Sequence, residues 1–140
     1  MEHEKRLSSK DFRIGNIIEH NGEIKAISSL HEDDTFRTKK GDLFEGCFRI
    51  CTAEPVKITV EWLVKFGFKL TEGGYVKRFS RFGDDEKSFL ATEYNPVMKR
   101  WLFVVGSDNS ETVVAINAFE FLHQLQNLYF SLTGEELILK

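Results

Sequence analysis

The chain has 140 residues and a mass of 16.2 kDa, the size of one ordinary domain. A hydrophobic fraction of 41% and a charged fraction of 29% are those of a globular protein, which excludes collagen, coiled coil and wholesale disorder. The net charge of −3 argues against a generally basic nucleic-acid binder and leaves local patches open.

No stretch approaches the ~18 apolar residues of a membrane span. The opening MEHEKRLSSKDF has no apolar core, so no secretory signal is expected. Cys47 and Cys51 lie in the run CFRIC. On a strand they would stand about 13 Å apart at ~3.3 Å per residue, beyond the ~7 Å reach of a disulfide. They are expected to be buried reduced thiols in a cytoplasmic protein.

Residues 1–10 are polar and expected to fray. Arg13–Ile18 and Glu23–Ser29 are short apolar-rich runs flanking Asn21-Gly22. Asn-Gly accepts the two positive φ angles of a type I′ turn, so a β-hairpin is predicted. His31–Asp42 reads as a charged loop, and a strand follows around Leu43–Thr52. Pro55 then interrupts regular structure.

Thr59 is suited to cap a short helix, with Glu61 in its first turn and Gly67 as its left-handed stop. Trp62, Leu63 and Phe66 share its inner face. Beyond it the period changes to two. Phe68–Thr71 and Tyr75–Phe82 read as a second hairpin around Gly73-Gly74. Ser88–Tyr94 and Arg100–Gly106 read as a third around Asn95-Pro96. The run WLFVV is apolar on both faces and marks a central strand. Thr112–Ile116 reads as a further short strand.

Asn117 is expected to cap the longest helix, Ala118–Thr133, which Gly134 ends. At ~100° per residue, Ala118, Phe121, Leu122, Leu125, Leu128, Tyr129 and Leu132 form one core stripe. Phe119, His123, Gln126 and Phe130 form a second stripe beside it. Two Phe off the core face need a cover, supplied either by this chain or by a partner or second copy. Leu137–Leu139 is suited to an edge strand.

Three runs carry a resemblance: Arg13-Ile14-Gly15-Asn16 with Asn21-Gly22-Glu23-Ile24, then Glu61–Phe68, then HQLQNLYF-SLTGEEL over His123–Leu137. Together they resemble a family of short uncharacterised proteins from Bacteroides-type bacteria and their phages and prophages. The resemblance implies a bacterial or prophage-associated setting and transfers no catalytic residue.

The four histidines, His3, His20, His31 and His123, show no metal-ligand spacing, and Cys47 and Cys51 have no second pair. His31-Glu32-Asp33-Asp34 lacks the alternating ligands and glycine of a calcium loop. No nucleophile elbow or phosphate-binding glycine loop is present. The sequence therefore offers no catalytic, metal-binding or cofactor-binding residue, and no cofactor is expected. The strand Tyr75–Phe82 is the other notable feature. Tyr75, Lys77, Phe79 and Arg81 share one face, where rings can stack bases and cations can meet phosphates. The same pattern also suits a half-buried strand whose basic stems cover its edge.

The expected fold is α+β: a mainly antiparallel sheet or small SH3-like barrel packed against a C-terminal helix, with one short central helix. Residues 1–140 form one domain on this reading, with an N-terminal β-barrel subdomain at 11–58. The expected function is a non-catalytic protein-interaction module linked to a mobile element or prophage, using Phe119, His123, Gln126 and Phe130 on a protein partner or a second copy. The alternative is a nucleic-acid binder using Tyr75, Lys77, Phe79 and Arg81. No membrane contact is expected.

Overall fold

The structure, a computed structural model, describes residues 11–40, 43–72, 74–80, 87–108 and 113–137. It is α+β, with ten strands in two antiparallel sheets, one short helix and a C-terminal helix among these residues. The backbone divides into two compact units at Val56/Lys57. Residues 1–10, expected to fray, lie outside the described residues.

The first unit carries β1 (Ile17–His20), β2 (Glu23–Leu30), β3 (Thr35–Lys40), β4 (Leu43–Arg49), a 3-10 turn (Ile50–Thr52) and β5 (Glu54–Pro55). The strands pair in the order β4-β3-β2-β1-β5. They form a sheet and not the closed small barrel that was the other expected form. The first hairpin turns at Asn21 and Gly22, whose φ angles of 51° and 78° are the two positive values the sequence predicts. Pro55 does not interrupt the sheet. It sits on the two-residue edge strand β5, where a missing N–H costs little.

The segment expected to be a charged loop, His31–Asp42, contains β3. Phe36 and Thr38 point inward and are buried, while Arg37 and Lys39 point outward. Inward packing of Phe36 outweighs the loop-like charge density. Its ring joins Phe12, Ile18, Ile27, Ile50 and Ala53 in the core of this unit, with Leu30 and Phe48 packed on it. The same alternation corrects the cysteines, which are exposed free thiols and not buried ones. Phe48 lies opposite Phe36, so its neighbour Cys47 faces out. Ile50 takes the inward place of the 3-10 turn and leaves Cys51 outside.

The second unit carries α1 (Val60–Lys65), β6 (Lys69–Thr71), β7 (Gly74–Phe79), β8 (Ser88–Asn95), β9 (Arg100–Ser107), β10 (Val114–Phe119) and α2 (Leu122–Thr133). Its strands run as a meander, in the order β10-β9-β8-β7-β6. The WLFVV strand, β9, is flanked on both sides, although the middle of the sheet is β8. The β8–β9 turn is held by Asn95, whose Oδ1 accepts the Val97 and Met98 N–H groups at 3.0 Å each. Helix α1 starts where the Thr59 hydroxyl accepts the Trp62 N–H at 3.3 Å, and ends before Gly67 at φ 92°. Leu63 on its inner face and Phe66 just after its last residue are fully buried.

Helix α2 begins four residues later than the sequence pattern predicts. Asn117, Ala118 and Phe119 pair with Phe103, Leu102 and Trp101, so the ladder to β9 takes the residues that helical spacing would claim. Gln124 supplies the cap instead of Asn117: its Oε1 accepts the Phe121 N–H at 3.0 Å and the Glu120 N–H at 3.3 Å. At the other end Gly134, at φ 72°, donates its N–H to the Phe130 carbonyl at 2.7 Å. The buried face is Leu122, His123, Leu125, Gln126 and Tyr129, with Leu128 and Leu132 half-buried. It is rotated from the predicted stripe toward His123 and Gln126. Leu137 is buried outside any strand, and residues 138–140 lie outside the described residues. No helix among the described residues is long and apolar enough to cross a membrane.

Leu125 is fully buried, whereas Phe130 is 38% exposed. Leu125→Ala should lower the stability of the second unit by about 2–5 kcal/mol, and Phe130→Ala, whose ring is partly covered, by about 1–2 kcal/mol. Urea melts of the two variants check this; equal losses would contradict the position of the helix face.

Candidate functional site

The two surfaces predicted from the sequence have different fates. On β7, Tyr75, Lys77 and Phe79 do share one face. That face turns inward. Phe79 is 4% exposed and its ring meets Tyr129 edge-on at 6.3 Å. Tyr75 lies against the Trp101 indole at 6.2 Å. The Lys77 ammonium donates to the Phe66 carbonyl at 2.8 Å, satisfying the end of α1, and sits 5.6 Å from the Tyr129 ring. Arg81 lies outside the described residues. The Phe79 ring is thereby covered, and Tyr75 is half-buried.

The helix stripe is split. Phe119 belongs to β10, where its ring lies 5.7 Å from that of Phe103. His123 and Gln126 are buried, with the imidazole stacked on Phe121 at 6.1 Å. Phe130 alone of the four is exposed.

The larger unaccounted surface is the outer face of the second sheet. Strand register sets Val76, Ala91, Val104 and Ala115 in one row across β7, β8, β9 and β10. The next row holds Glu93, Leu102 and Ala118, and the row on the other side holds Arg78, Phe89 and Gly106. A Cβ on Gly106 would fall 2.5 Å from the Phe89 ring, so glycine there is what lets that ring lie flat across β9. Arg78 closes the corner: its guanidinium forks onto Asp108 at 2.8 and 3.2 Å and stacks over Phe89 at 5.8 Å. Leu102 and Ala115 are exposed, Val76 and Val104 are half-buried, and Ala91 and Ala118 are buried. Beta9 therefore presents Trp101 and Phe103 to the core and Leu102 and Val104 to the outside. The run WLFVV, apolar on both faces in the sequence, is the signal for this surface.

In the first unit an open cleft of about 680 Å³ has His31, Glu32, Asp33, Arg37 and Cys47 in its walls. Its polar groups are engaged locally. The His31 Nε2 lies 3.2 Å from the Ser29 hydroxyl, and the Thr35 hydroxyl donates to Asp33 at 2.6 Å. The cleft mixes both charge signs and is too open to exclude water, the condition that strengthens electrostatic catalysis. His20 is a core residue, packed on Phe48 at 4.2 Å and edge-on to Phe36 at 5.7 Å. Among the described residues no group of three or more His, Cys, Asp and Glu is placed to hold a metal ion. His3 and the acidic run Asp84-Asp85-Glu86 lie outside the described residues. No protein-family model, curated protein or solved structure matches the chain.

The engagement of Lys77 gives a prediction. Lys77→Met should cost about 1–3 kcal/mol by removing a charge-assisted bond to the end of α1, and Phe79→Ala about 3–5 kcal/mol. Chemical denaturation checks both; a neutral Lys77→Met would contradict the capping role.

Proposed function

We propose that the chain is a non-catalytic protein-interaction module whose docking surface is the outer face of the second sheet. The observation that carries the reading is the apolar row Val76–Ala91–Val104–Ala115 with Leu102 exposed beside it. An antiparallel sheet with one free face ordinarily alternates apolar inside and polar outside. Here apolar side chains fill both sides of β9, and clustered apolar surface of this kind marks an interaction site. The prophage-associated setting implied by the C-terminal run suits a small module of this type better than a housekeeping enzyme.

The occupant is a second copy of the chain. Two flat faces can stack aligned about 10 Å apart, and a two-fold contact needs only one self-complementary patch. Arg78 lies at one end of the rows and Glu93 at the other. A two-fold axis in the sheet plane, across the strands, brings the Arg78 end of one copy over the Glu93 end of the other. The Arg78–Asp108 pair of one copy then faces Glu93 of the other, and polar groups frame an apolar centre, the usual anatomy of an interface.

Sedimentation equilibrium tests this. The wild-type chain should reversibly dimerise, and Leu102→Glu should remain a monomer while its stability changes by no more than about 0.5 kcal/mol. A wild-type monomer at all concentrations overturns the reading. So does a loss of several kcal/mol in Leu102→Glu, because the face would then be covered by its own chain.

A further inference from the structure

The first unit carries a different kind of surface, independent of the apolar face just described. On β3, Arg37 and Lys39 alternate with the buried Phe36 and Thr38 and are exposed. Phe44 of β4 lies directly opposite Lys39 and is 48% exposed. The Lys39 ammonium is 4.6 Å from the centre of the Phe44 ring and the Arg37 guanidinium 5.5 Å from it. Arg49 pairs opposite Thr35, which puts it on the same outer side as Arg37. Three cations and a half-exposed ring therefore share one two-stranded face. The acidic residue of these strands, Glu45, pairs opposite buried Thr38 and meets Lys25 at 3.9 Å on the other side. Glu32 and Asp33, in the walls of the cleft that Arg37 also lines, bound the face at one end.

We propose that this face binds single-stranded nucleic acid, with Phe44 stacking one base and Arg37, Lys39 and Arg49 meeting successive phosphates. The spacing suits it. Alternate residues on a strand stand about 6.6 Å apart, the order of the distance between phosphates of an extended strand. A ring surrounded by cations attracts a base through its π-face and the adjoining phosphates through charge, without reading sequence. In the free protein Arg37 and Lys39 rest on the Phe44 ring. An exposed cation–π contact is weaker than base stacking, so a base displaces them toward the phosphates. A double helix keeps its bases stacked inside, so Phe44 has nothing to stack on there, and duplex should bind more weakly.

Fluorescence anisotropy of the full chain with a labelled oligothymidylate and with a duplex of equal length tests the proposal. Three phosphate contacts predict a log–log salt slope of about −2, hence about a 20-fold loss of affinity between about 50 and about 200 mM salt. Phe44→Ala should weaken single-strand binding about tenfold, and Arg37→Ala should lower the slope by about one third. Lys69→Ala, on the second sheet, should change neither. Circular dichroism confirms that each variant is folded; exposed Phe44 and Arg37 make no contribution to the core. Absence of binding at low salt overturns the proposal. Equal affinity for duplex, or insensitivity to Phe44→Ala, also overturns it and leaves only a generic attraction for polyanions.

Discussion

Ile58 and Trp101 hold the second unit together through two hydrogen bonds that face opposite ways. The Ile58 carbonyl accepts the buried Trp101 indole N–H at 3.1 Å, and the Ile58 N–H donates to the Glu120 carbonyl at 2.9 Å. One residue thus ties the entry to α1, the start of β9 and the junction between β10 and α2. An unpaired indole N–H in that position would cost a full desolvation penalty. Tyr75 and Tyr94 lie against the same indole at 6.2 and 5.3 Å, so the β7 and β8 strands are registered on it as well. Fixing Trp101 inward fixes Leu102 outward, because strand neighbours point to opposite faces.

That consequence is what gives the sheet two characters. The inner face is sealed by Leu63 and Phe66 of α1, Leu122, Leu125 and Tyr129 of α2, and the rings of Phe79 and Phe103, all buried. The outer face receives whatever lies at alternate positions, and there the sequence places Val76, Ala91, Leu102, Val104 and Ala115. The basic–aromatic face of β3 and β4 arises by the same alternation in the first unit, with Phe36 as the inward anchor. In each unit one buried ring in the strand decides which residues are offered to the outside.

The parts of this arrangement that were legible in the sequence are those governed by local chemistry. The Asn21-Gly22 hairpin, the Thr59 cap, the Asn95 turn and the Gly134 stop each depend on residues adjacent in the chain. What failed needed tertiary knowledge. The stretch Asn117–Phe119 has helical spacing with the residues after it, and only pairing with Trp101–Phe103 holds it as a strand. The segment around Arg37 is dense in charge, and only the docking of Phe36 reveals the period of two. The face of Tyr75, Lys77 and Phe79 was grouped correctly, but periodicity cannot say which side of a strand meets the helix, and here it is that side. Both surfaces now proposed lie on the faces opposite those anchors.

Methyl NMR over a dilution series probes the outer face of β9 most directly. With selective labelling, the Val76, Leu102 and Val104 methyl signals should shift together as concentration rises, following one binding curve. The methyls of Leu90, Leu122 and Leu125, buried on the inner face, should stay in place. Outer-face signals that do not move across the whole series, or inner-face signals that move with them, would contradict the account.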